Sequence, residues 1–591
     1  MKNLKLIIVL FSAMILASCI NDDYDLSNIE TTIGIPVEGL EVPINIEATK
    51  LESVLKIDEN SIIQKDENGY YLIKEGEFGP SNPIRVNTFA AAGPTIEPIV
   101  STLDLQGYIN SKKKASGELI GYYNLKESST TVSTSASNID KAIVGISELG
   151  ATAELKVSLS ISGVPQGLKA IHFENVQMAF LKGLELDLEK SKAIESWDKN
   201  TGMLRLKELT TDENGSISIS VYINGIELAD YNKDNFNFHN HALDIIGTCK
   251  IQSGRVAVYT GDIDLSALQG FVLPDHVGFT CSPYLSDINV NTFSGNIDYD
   301  ITNINVAPVE LNDIPEVLNQ TGTALGISNP QIYLSVNNPV YQYNIGATCR
   351  LSIGNEREGK KYDEVTSEKI AFRATRDNYF CLSPKRPARP YIYKDKDMDY
   401  VVFDTKNILD CYDVGSRTHA GLPDKLNINV DHPNINGVIK KFALGSELEA
   451  VRGTYSFYAP VELTENSKIN YAKTFDEWND SGDLDNVEID SMEVNFFVTT
   501  DVPYKLKLTI EPLTNGGHKI EGVTVTVPEV NALAEQQEIK AVVKGTIKAL
   551  DGINLKADVV SEQEAQLRPD MTILLENVRA KVYGMYIKKD E

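Results

Sequence analysis

Apolar and polar residues alternate with a period of two along most of the chain. The clearest runs are 155–161, 504–510 and 553–559, in which every second residue is apolar. A strand with this pattern turns its apolar residues to a core and its polar residues to water, as strands of antiparallel sheets do. Two segments with helical spacing, 50–56 and 309–318, are too short to organise a domain. The pattern predicts an all-β chain.

Turn signals separate many of these runs. Asn-Gly and Asp-Gly pairs tolerate the positive φ angles of tight hairpins. They occur at Asn68-Gly69, Asn214-Gly215, Asn515-Gly516 and Asp551-Gly552. Many short strands joined by frequent turns favour packed pairs of sheets. We therefore expect tandem antiparallel β-sandwich domains of immunoglobulin-like type.

The length of the chain predicts several such domains. With 591 residues, and roughly 150 residues per domain, three or four are expected. Patterning and turn signals suggest the following division: a signal peptide (1–18), a lipidated tether with a small β element (19–115) and three β-sandwiches (116–300, 301–455 and 456–591). The segment 173–176, Phe-Glu-Asn-Val, resembles 575–578, Leu-Glu-Asn-Val. The resemblance fits a duplicated module, although such matches also arise by chance in β-rich sequence.

The N-terminus has the three-part layout of a secretory signal. Lys2 and Lys5 precede an apolar run that ends in Leu16-Ala17-Ser18-Cys19. The run is too short for a membrane-spanning helix, which needs about 20 apolar residues. This layout predicts export. Cys19 either has a function of its own or is an incidental cysteine in an ordinary secretory signal.

The sequence Leu-Ala-Ser-Cys resembles the lipobox of bacterial lipoproteins. The resemblance implies that Cys19 is lipidated and becomes the first residue of the mature protein, which several acyl chains then hold durably at a membrane. The next residues, Asn21-Asp22-Asp23, resemble the acidic export tag of surface-exposed lipoproteins in Bacteroidota-type bacteria. A solvated linker is the alternative interpretation of these acids. The resemblance implies an outer-membrane location facing outward and attaches no activity to the chain.

Composition narrows the range of partners. The formal net charge is −28, from 55 basic and 83 acidic residues. Nucleic acid is disfavoured as a partner because phosphate binding needs basic patches. If Cys19 is lipidated, five of the six cysteines remain, and an odd number excludes complete intramolecular pairing. We favour buried thiols over a disulfide framework.

No motif for catalysis or for a cofactor is recognisable. The sequence has no Gly-x-Ser-x-Gly elbow, Gly-rich phosphate loop or His-Glu-x-x-His helix. The pair His239 and His241 lacks neighbouring ligands for a metal. The alternating acids Asp395, Asp397 and Asp399 lack the glycine and the final acid of a calcium loop. We predict no enzyme, no cofactor and no metal site.

Two segments are candidates for ligand binding. The stretch 384–393 contains Arg386, Arg389, Tyr391 and Tyr393 among three prolines, and could grip an acidic partner or stack on sugar rings. The alternative is a stiff connecting loop. Trp478, in an acidic polar segment, could also stack on a sugar, or it could cover the end of a core.

These observations favour a non-catalytic surface lipoprotein that binds or scaffolds. Its expected partners are the membrane, through the N-terminal lipid, and a glycan or another surface protein. The first alternative is a structural or adhesive subunit that assembles through exposed strand edges. A glycan hydrolase with dispersed carboxylates is a third hypothesis, which no motif supports.

Overall fold

The structure, a computed structural model, describes residues 35–44, 49–52, 57, 61–108, 117–264, 266, 270–311, 326–357, 359–405, 423–476, 487–514 and 516–586. Nearly every regular element in these ranges is a β-strand, and short 3-10 turns lie at Asp230–Asn232, Thr260–Asp262 and Tyr341–Tyr343. No helix within them is long and apolar enough to cross a membrane. The prediction of an all-β chain of antiparallel sheets is confirmed, whereas the immunoglobulin-like type stays a prediction.

The first nineteen strands are β1 (Ile35–Ile44), β2 (Thr49–Lys50), β3 (Ile63–Lys65), β4 (Tyr70–Phe78), β5 (Phe89–Ala91), β6 (Ile99–Gln106), β7 (Leu119–Asn124), β8 (Ser128–Ala136), β9 (Ile143–Ser162), β10 (His172–Ala179), β11 (Leu184–Leu186), β12 (Ile194–Asp198), β13 (Met203–Leu206), β14 (Leu209–Thr210), β15 (Ser216–Glu227), β16 (Phe236–His239), β17 (Ala242–Tyr259), β18 (His276–Leu285) and β19 (Ile288–Asp300).

The remaining strands are β20 (Val309–Glu310), β21 (Gln331–Asn337), β22 (Thr348–Arg357), β23 (Lys360–Thr366), β24 (Ile370–Ala371), β25 (Asp377–Ser383), β26 (Met398–Val402), β27 (Lys425–Ala443), β28 (Gly453–Pro460), β29 (Glu462–Leu463), β30 (Lys468–Phe475), β31 (Val487–Thr500), β32 (Tyr504–Thr514), β33 (His518–Lys519), β34 (Thr524–Thr526), β35 (Gln537–Lys548), β36 (Leu550–Ser561), β37 (Ala565–Gln566) and β38 (Thr572–Tyr586). The alternating runs 155–161, 504–510 and 553–559 lie in β9, β32 and β36, as predicted.

The first sandwich is centred on two long strands. β9 pairs with β15 on one side and with β18 and β19 on the other. In the facing layer β17 pairs with β7 and β8 on one side and with β10 and β16 on the other. Phe173 of β10 and Phe279 of β18 meet between the layers, with 6.3 Å between ring centroids. The alternation of apolar residues thus builds a core between two sheets.

A second sandwich is continuous with the first. Its outer sheet has the order β26-β25-β21-β28-β4-β3. It packs on β22 and β27, and Leu334, Leu351 and Val430 from the two layers line an apolar cavity of about 40 Å³. β27 also pairs with β19 of the first sandwich, so one hydrophobic core runs through both.

The C-terminal strands form a third pair of sheets. One sheet has the order β1-β38-β31-β35-β34, and the other has the order β30-β36-β32-β33. Phe496 and Ile539 belong to a separate core cluster, against which Leu506 of β32 packs. The third sandwich therefore has its own hydrophobic core.

The range 19–115, predicted to be a tether with a small β element, contributes strands to all three sandwiches. β1 pairs with β38 of the C-terminal sheet. β3 and β4 form one edge of the tyrosine-rich outer sheet of the second sandwich, and β5 and β6 pair with strands of the first. The positions of the predicted domain boundaries stay a prediction.

The four cysteines in the described residues are buried free thiols: Cys249, Cys281, Cys349 and Cys381. Burial raises the pKa of Cys249 and of Cys349 to about 12, and that of Cys381 to about 11. These residues act as small core side chains, as favoured from the sequence. Cys19 and Cys411 lie outside the described residues.

Candidate functional site

One face of the outer sheet of the second sandwich is lined by tyrosines. Because side chains alternate along a strand, Leu72 of β4 and Leu334 of β21 face the shared core, while their neighbours Tyr71 and Tyr333 face the other way. Tyr458 of β28 joins them. The sheet thus carries apolar side chains on both faces, and the second face needs a cover.

The loop between β25 and β26 supplies this cover. Tyr391 stacks on Tyr458, with 3.8 Å between ring centroids and 19° between ring planes, and its ring centroid is 5.0 Å from that of Tyr71. Its backbone N–H donates to the Tyr333 hydroxyl at 2.8 Å. Its own hydroxyl donates to Asp66 at 3.0 Å. Burial first, and then the hydrogen bonds with Tyr71 and Asp66, raise the pKa of Tyr391.

Asp66 connects this contact to a predicted turn. One of its carboxylate oxygens accepts the N–H groups of Asn68 and Gly69, at 2.7 and 3.2 Å, in the hairpin between β3 and β4. Its other oxygen accepts the Tyr391 hydroxyl. The turn that the Asn-Gly pair predicts is present, and it also fixes the loop.

Tyr393 is also packed against the sheet. Its ring centroid lies 5.1 Å from that of Tyr379, and its hydroxyl is 3.0 Å from the Thr454 hydroxyl. Its backbone has a φ of 54°. Tyr391 and Tyr393, proposed from the sequence as ligand-binding residues, therefore both contact the sheet, and we assign them to positioning the loop. Ligand binding by either ring stays a prediction.

The cations of the loop lie on the outside of this tyrosine layer. The Arg386 guanidinium is 4.1 Å from the ring centroid of Tyr400. The Lys394 and Lys396 ammonium groups lie 5.5 Å and 5.6 Å from the ring centroids of Tyr391 and Tyr379. Arg389 is exposed. We call Arg386, Arg389, Lys394 and Lys396 the loop cations.

The loop cations have no ion pair with any carboxylate that the structure describes. Neighbouring charges are paired elsewhere: Lys385 with Glu564 at 3.6 Å, and Arg373 with both Asp397 and Asp399. A tyrosine ring orients a cation but cannot cancel its charge. The loop therefore presents four cations without an ion pair to a described carboxylate, beside the exposed acid Asp395, in a protein of net charge −28.

The structure does not describe the other predicted site residues. Trp478, the aromatic candidate for sugar stacking, and Cys19, the candidate for lipid attachment, both fall outside the described residues. Trp197 is described, and its indole N–H donates to the backbone carbonyl of Leu184 at 2.9 Å.

A second polar cluster, on the first sandwich, is not apparent from the sequence. Buried Glu174 accepts from Arg255 Nε at 2.6 Å and from the Tyr259 hydroxyl. The hydrogen bond with Glu174, followed by burial, raises the pKa of Tyr259 to about 12. Close by, His172 Nε2 is 3.1 Å from an Asp262 carboxylate oxygen. Both Glu174 oxygens have partners, so this cluster joins β10 to β17 as a closed network.

Comparisons with known proteins show no family for this chain. No family model matches it, and no curated protein matches it. A solved structure of a protein from Parabacteroides distasonis ATCC 8503, assigned as secreted, is similar with a TM-score of 0.32 and 15% identity. The match covers 49% of this chain and 89% of that chain. A likeness at this level carries no argument about function.

Proposed function

We propose that the protein is a non-catalytic lipoprotein on the outer surface of the outer membrane, and that its loop cations bind an acidic cell-surface macromolecule. An anionic polysaccharide is the ligand class we favour. One observation carries the proposal: none of the four loop cations is in an ion pair with a described carboxylate, and three of them, Arg386, Lys394 and Lys396, lie near neutral tyrosine rings. The lipobox-like sequence at Cys19 supports the location.

The charge distribution supports an anionic ligand. Most of the surface of a protein with net charge −28 repels a polyanion. The loop cations offer a cluster of positive charge, which directs such a ligand to one place and one orientation.

The attachment of the loop supports binding without rearrangement. The contacts of Tyr391 with Tyr458, Tyr333 and Asp66 fix the backbone between the cations. A site that is ordered before binding loses less conformational entropy when the ligand arrives. Stable capture is therefore compatible with a small contact area.

Affinity electrophoresis of the full chain in detergent tests the ligand class. We expect retardation by polygalacturonate and by dextran sulfate, weakening as salt is added, and none by neutral dextran. The double variant Arg386→Glu/Arg389→Glu should lose at least about tenfold in affinity. The matched control Lys369→Glu/Lys440→Glu reverses two exposed lysines outside the loop and should bind as wild type. Equal retardation by neutral and anionic polymers, or equal loss in the control, would overturn the proposal.

The anchor is tested separately with Cys19→Ala. This variant should lose acyl labelling and either leave the membrane fraction or accumulate as an uncleaved precursor. Unchanged acyl labelling would refute lipidation at Cys19, whatever the outcome of the ligand experiment.

A further inference from the structure

Half of strand β15 forms an open edge of the first sandwich. On one side β15 pairs with β9 along its whole length, from Ser216 opposite Ser160 to Glu227 opposite Glu148. On the other side β11 pairs only with the stretch from Ile223 to Ile226. Within the described residues, no strand pairs with 216–221 on that outer side.

The chain closes both ends of this edge itself. At one end, Tyr222 donates its N–H to the Ser191 hydroxyl at 2.9 Å, and its carbonyl accepts the Asp187 N–H at 2.8 Å. At the other end, the Ser216 N–H donates to Asp212 at 3.2 Å. Backbone groups alternate in direction along an antiparallel strand, so Ser218 and Ser220 point their N–H and C=O groups the same way as Tyr222 does. These groups have no hydrogen-bond partner in the part of the chain that the structure describes.

This edge lacks the features that usually prevent strands from pairing. The segment reads Ser-Ile-Ser-Ile-Ser-Val, without proline or charge, and its only register shift lies beyond it, between Ile223 and Gly225. Edge strands are normally protected by proline, charge, bulges or shortness. By contrast, the edge strand β1 contains Pro36 and Pro43. Edge strand β3 is only three residues long.

The surface beside the edge carries mainly hydroxyl groups. The outward side chains of 216–220 are serines. On β9, Ser216 and Ser218 lie opposite Ser160 and Ser158, with 2.7 Å between the hydroxyls of Ser158 and Ser218, and Ser220 lies opposite Lys156. On β18 the row continues with Thr280 and Ser282. Two copies of a protein with net charge −28 repel each other over most approaches. The side chains of β9 opposite the three outward serines are two hydroxyls and one ammonium group, with no carboxylate among them.

We propose that two copies of this chain pair through the β15 edge, antiparallel and around a two-fold axis at Ser218. Ser218 then lies opposite its own counterpart, and Ser216 lies opposite the counterpart of Ser220. The Ser216 N–H stays with Asp212, so the ladder between the copies runs through the two Ser218 residues and the Ser220 N–H groups. The segment is self-complementary, as a two-fold interface requires. Attachment to one membrane raises the effective concentration of the copies and favours a short interface. This inference is independent of the proposed ligand site.

Disulfide trapping of the membrane-bound full chain tests the pairing. In Ser218→Cys the two new thiols belong to a hydrogen-bonded pair, whose Cα atoms are about 5.5 Å apart, within the range of a disulfide. Mild oxidation should give a dimer in several times the yield of the control Ser162→Cys. Ser162 is exposed on the same face but lies on β9, one strand in from the edge. Equal dimer yields from the two variants, or from wild type, would overturn the inference.

A charge variant tests the same contact without a new thiol. Ser218→Glu places two carboxylates opposite each other across the axis, where like charges destabilise pairing. Its side chain is exposed, so folding should be unaffected. Sedimentation of the detergent-solubilised protein should show fewer dimers for Ser218→Glu than for wild type and Ser162→Glu. A wild type that remains monomeric on the membrane and in detergent would contradict the pairing.

Discussion

Tyr391 and Tyr458 stack with 3.8 Å between ring centroids, and this contact joins the basic loop to the sheet beneath it. The ring of Tyr391 has Lys394 near it, and the ring of Tyr379 has Lys396 near it. The same aromatic layer therefore closes the outer face of the sheet and positions cations above it. Under the proposed function, Tyr391 therefore contributes both to the stability of this sandwich and to ligand binding.

Tyr391→Leu should destabilise the protein by about 2–3 kcal/mol. The change removes the ring stack, about 1 kcal/mol beyond its buried area, and the hydrogen bond to Asp66, about 1 kcal/mol. Tyr391→Phe keeps the stack and should cost only about 1 kcal/mol. Urea unfolding followed by circular dichroism measures both. The control Tyr341→Leu alters an exposed tyrosine and should have little effect; equal stability of Tyr391→Leu and wild type would contradict the assignment.

The same variants distinguish the contribution of loop positioning to ligand binding from the contribution of the loop cations. Tyr391→Phe should bind polygalacturonate nearly as wild type does, because the loop remains attached. Tyr391→Leu should bind more weakly although every loop cation is still present, because the released loop loses more conformational entropy on binding. Affinity electrophoresis measures the difference. If both variants bind as wild type does, attachment of the loop contributes nothing to recognition.

Glu174→Gln should destabilise the first sandwich by about 2–3 kcal/mol. The substitution removes the charge that pairs with Arg255 and weakens the bond from Tyr259. Breaking a buried pair costs about 3–5 kcal/mol, and the partial exposure of Arg255 reduces this figure. The control Glu195→Gln affects an exposed pair with Arg205, 4.0 Å apart, and should change stability by less than about 1 kcal/mol. Similar urea midpoints for the two variants would contradict a closed network at Glu174.

Local pattern predicts the strands of this chain but not the partners of those strands. Alternation identifies 155–161 as a strand because one face must be apolar. It does not show that β1 pairs with β38, because that pairing brings together the two ends of the described chain. For the same reason the prediction of a separate small element in 19–115 does not describe where its strands pair.

Part of the candidate site can be predicted from the sequence. The run of cations and tyrosines in 384–393 is visible in the sequence, and it identifies the loop. The sequence does not show which tyrosines of the loop pack against the sheet, because their partners Tyr71, Tyr333 and Tyr458 come from strands far apart in sequence. The Glu174–Arg255 pair cannot be predicted from the sequence for the same reason, because its members meet only when β10 and β17 pair.

Stability should decrease at alkaline pH. Burial raises the pKa of Cys249 from 9.0 to about 12 and that of Tyr70 from 10.0 to about 12. Above pH 9 the unfolded chain therefore loses protons that the folded chain retains, which favours unfolding. The contribution is fully present below pH 9 and is lost as pH rises towards 12. Urea midpoints measured from neutral to alkaline pH should fall, and the buried tyrosines should ionise only on unfolding; constant midpoints through this range would contradict the burial of these groups.

The repeated segments 173–176 and 575–578 share an unusual backbone conformation, which mutation can test. Asn175 and Asn577 have φ angles of 52° and 54°, and the strand register shifts near each of them. Valine in this left-handed region costs about 1–3 kcal/mol, whereas glycine adopts it freely.

Asn175→Val and Asn577→Val should therefore each destabilise by about 1–2 kcal/mol, and the glycine variants should lie within about 0.5 kcal/mol of wild type. Because Asn175 belongs to the first sandwich and Asn577 to the third, which has its own core, hydrogen exchange should detect each loss mainly in its own sandwich. The control Asn289→Val alters an exposed strand residue without positive φ and should be tolerated. Glycine variants as unstable as the valine variants would show that the asparagine side chains, and not the backbone conformation, account for the shared segment.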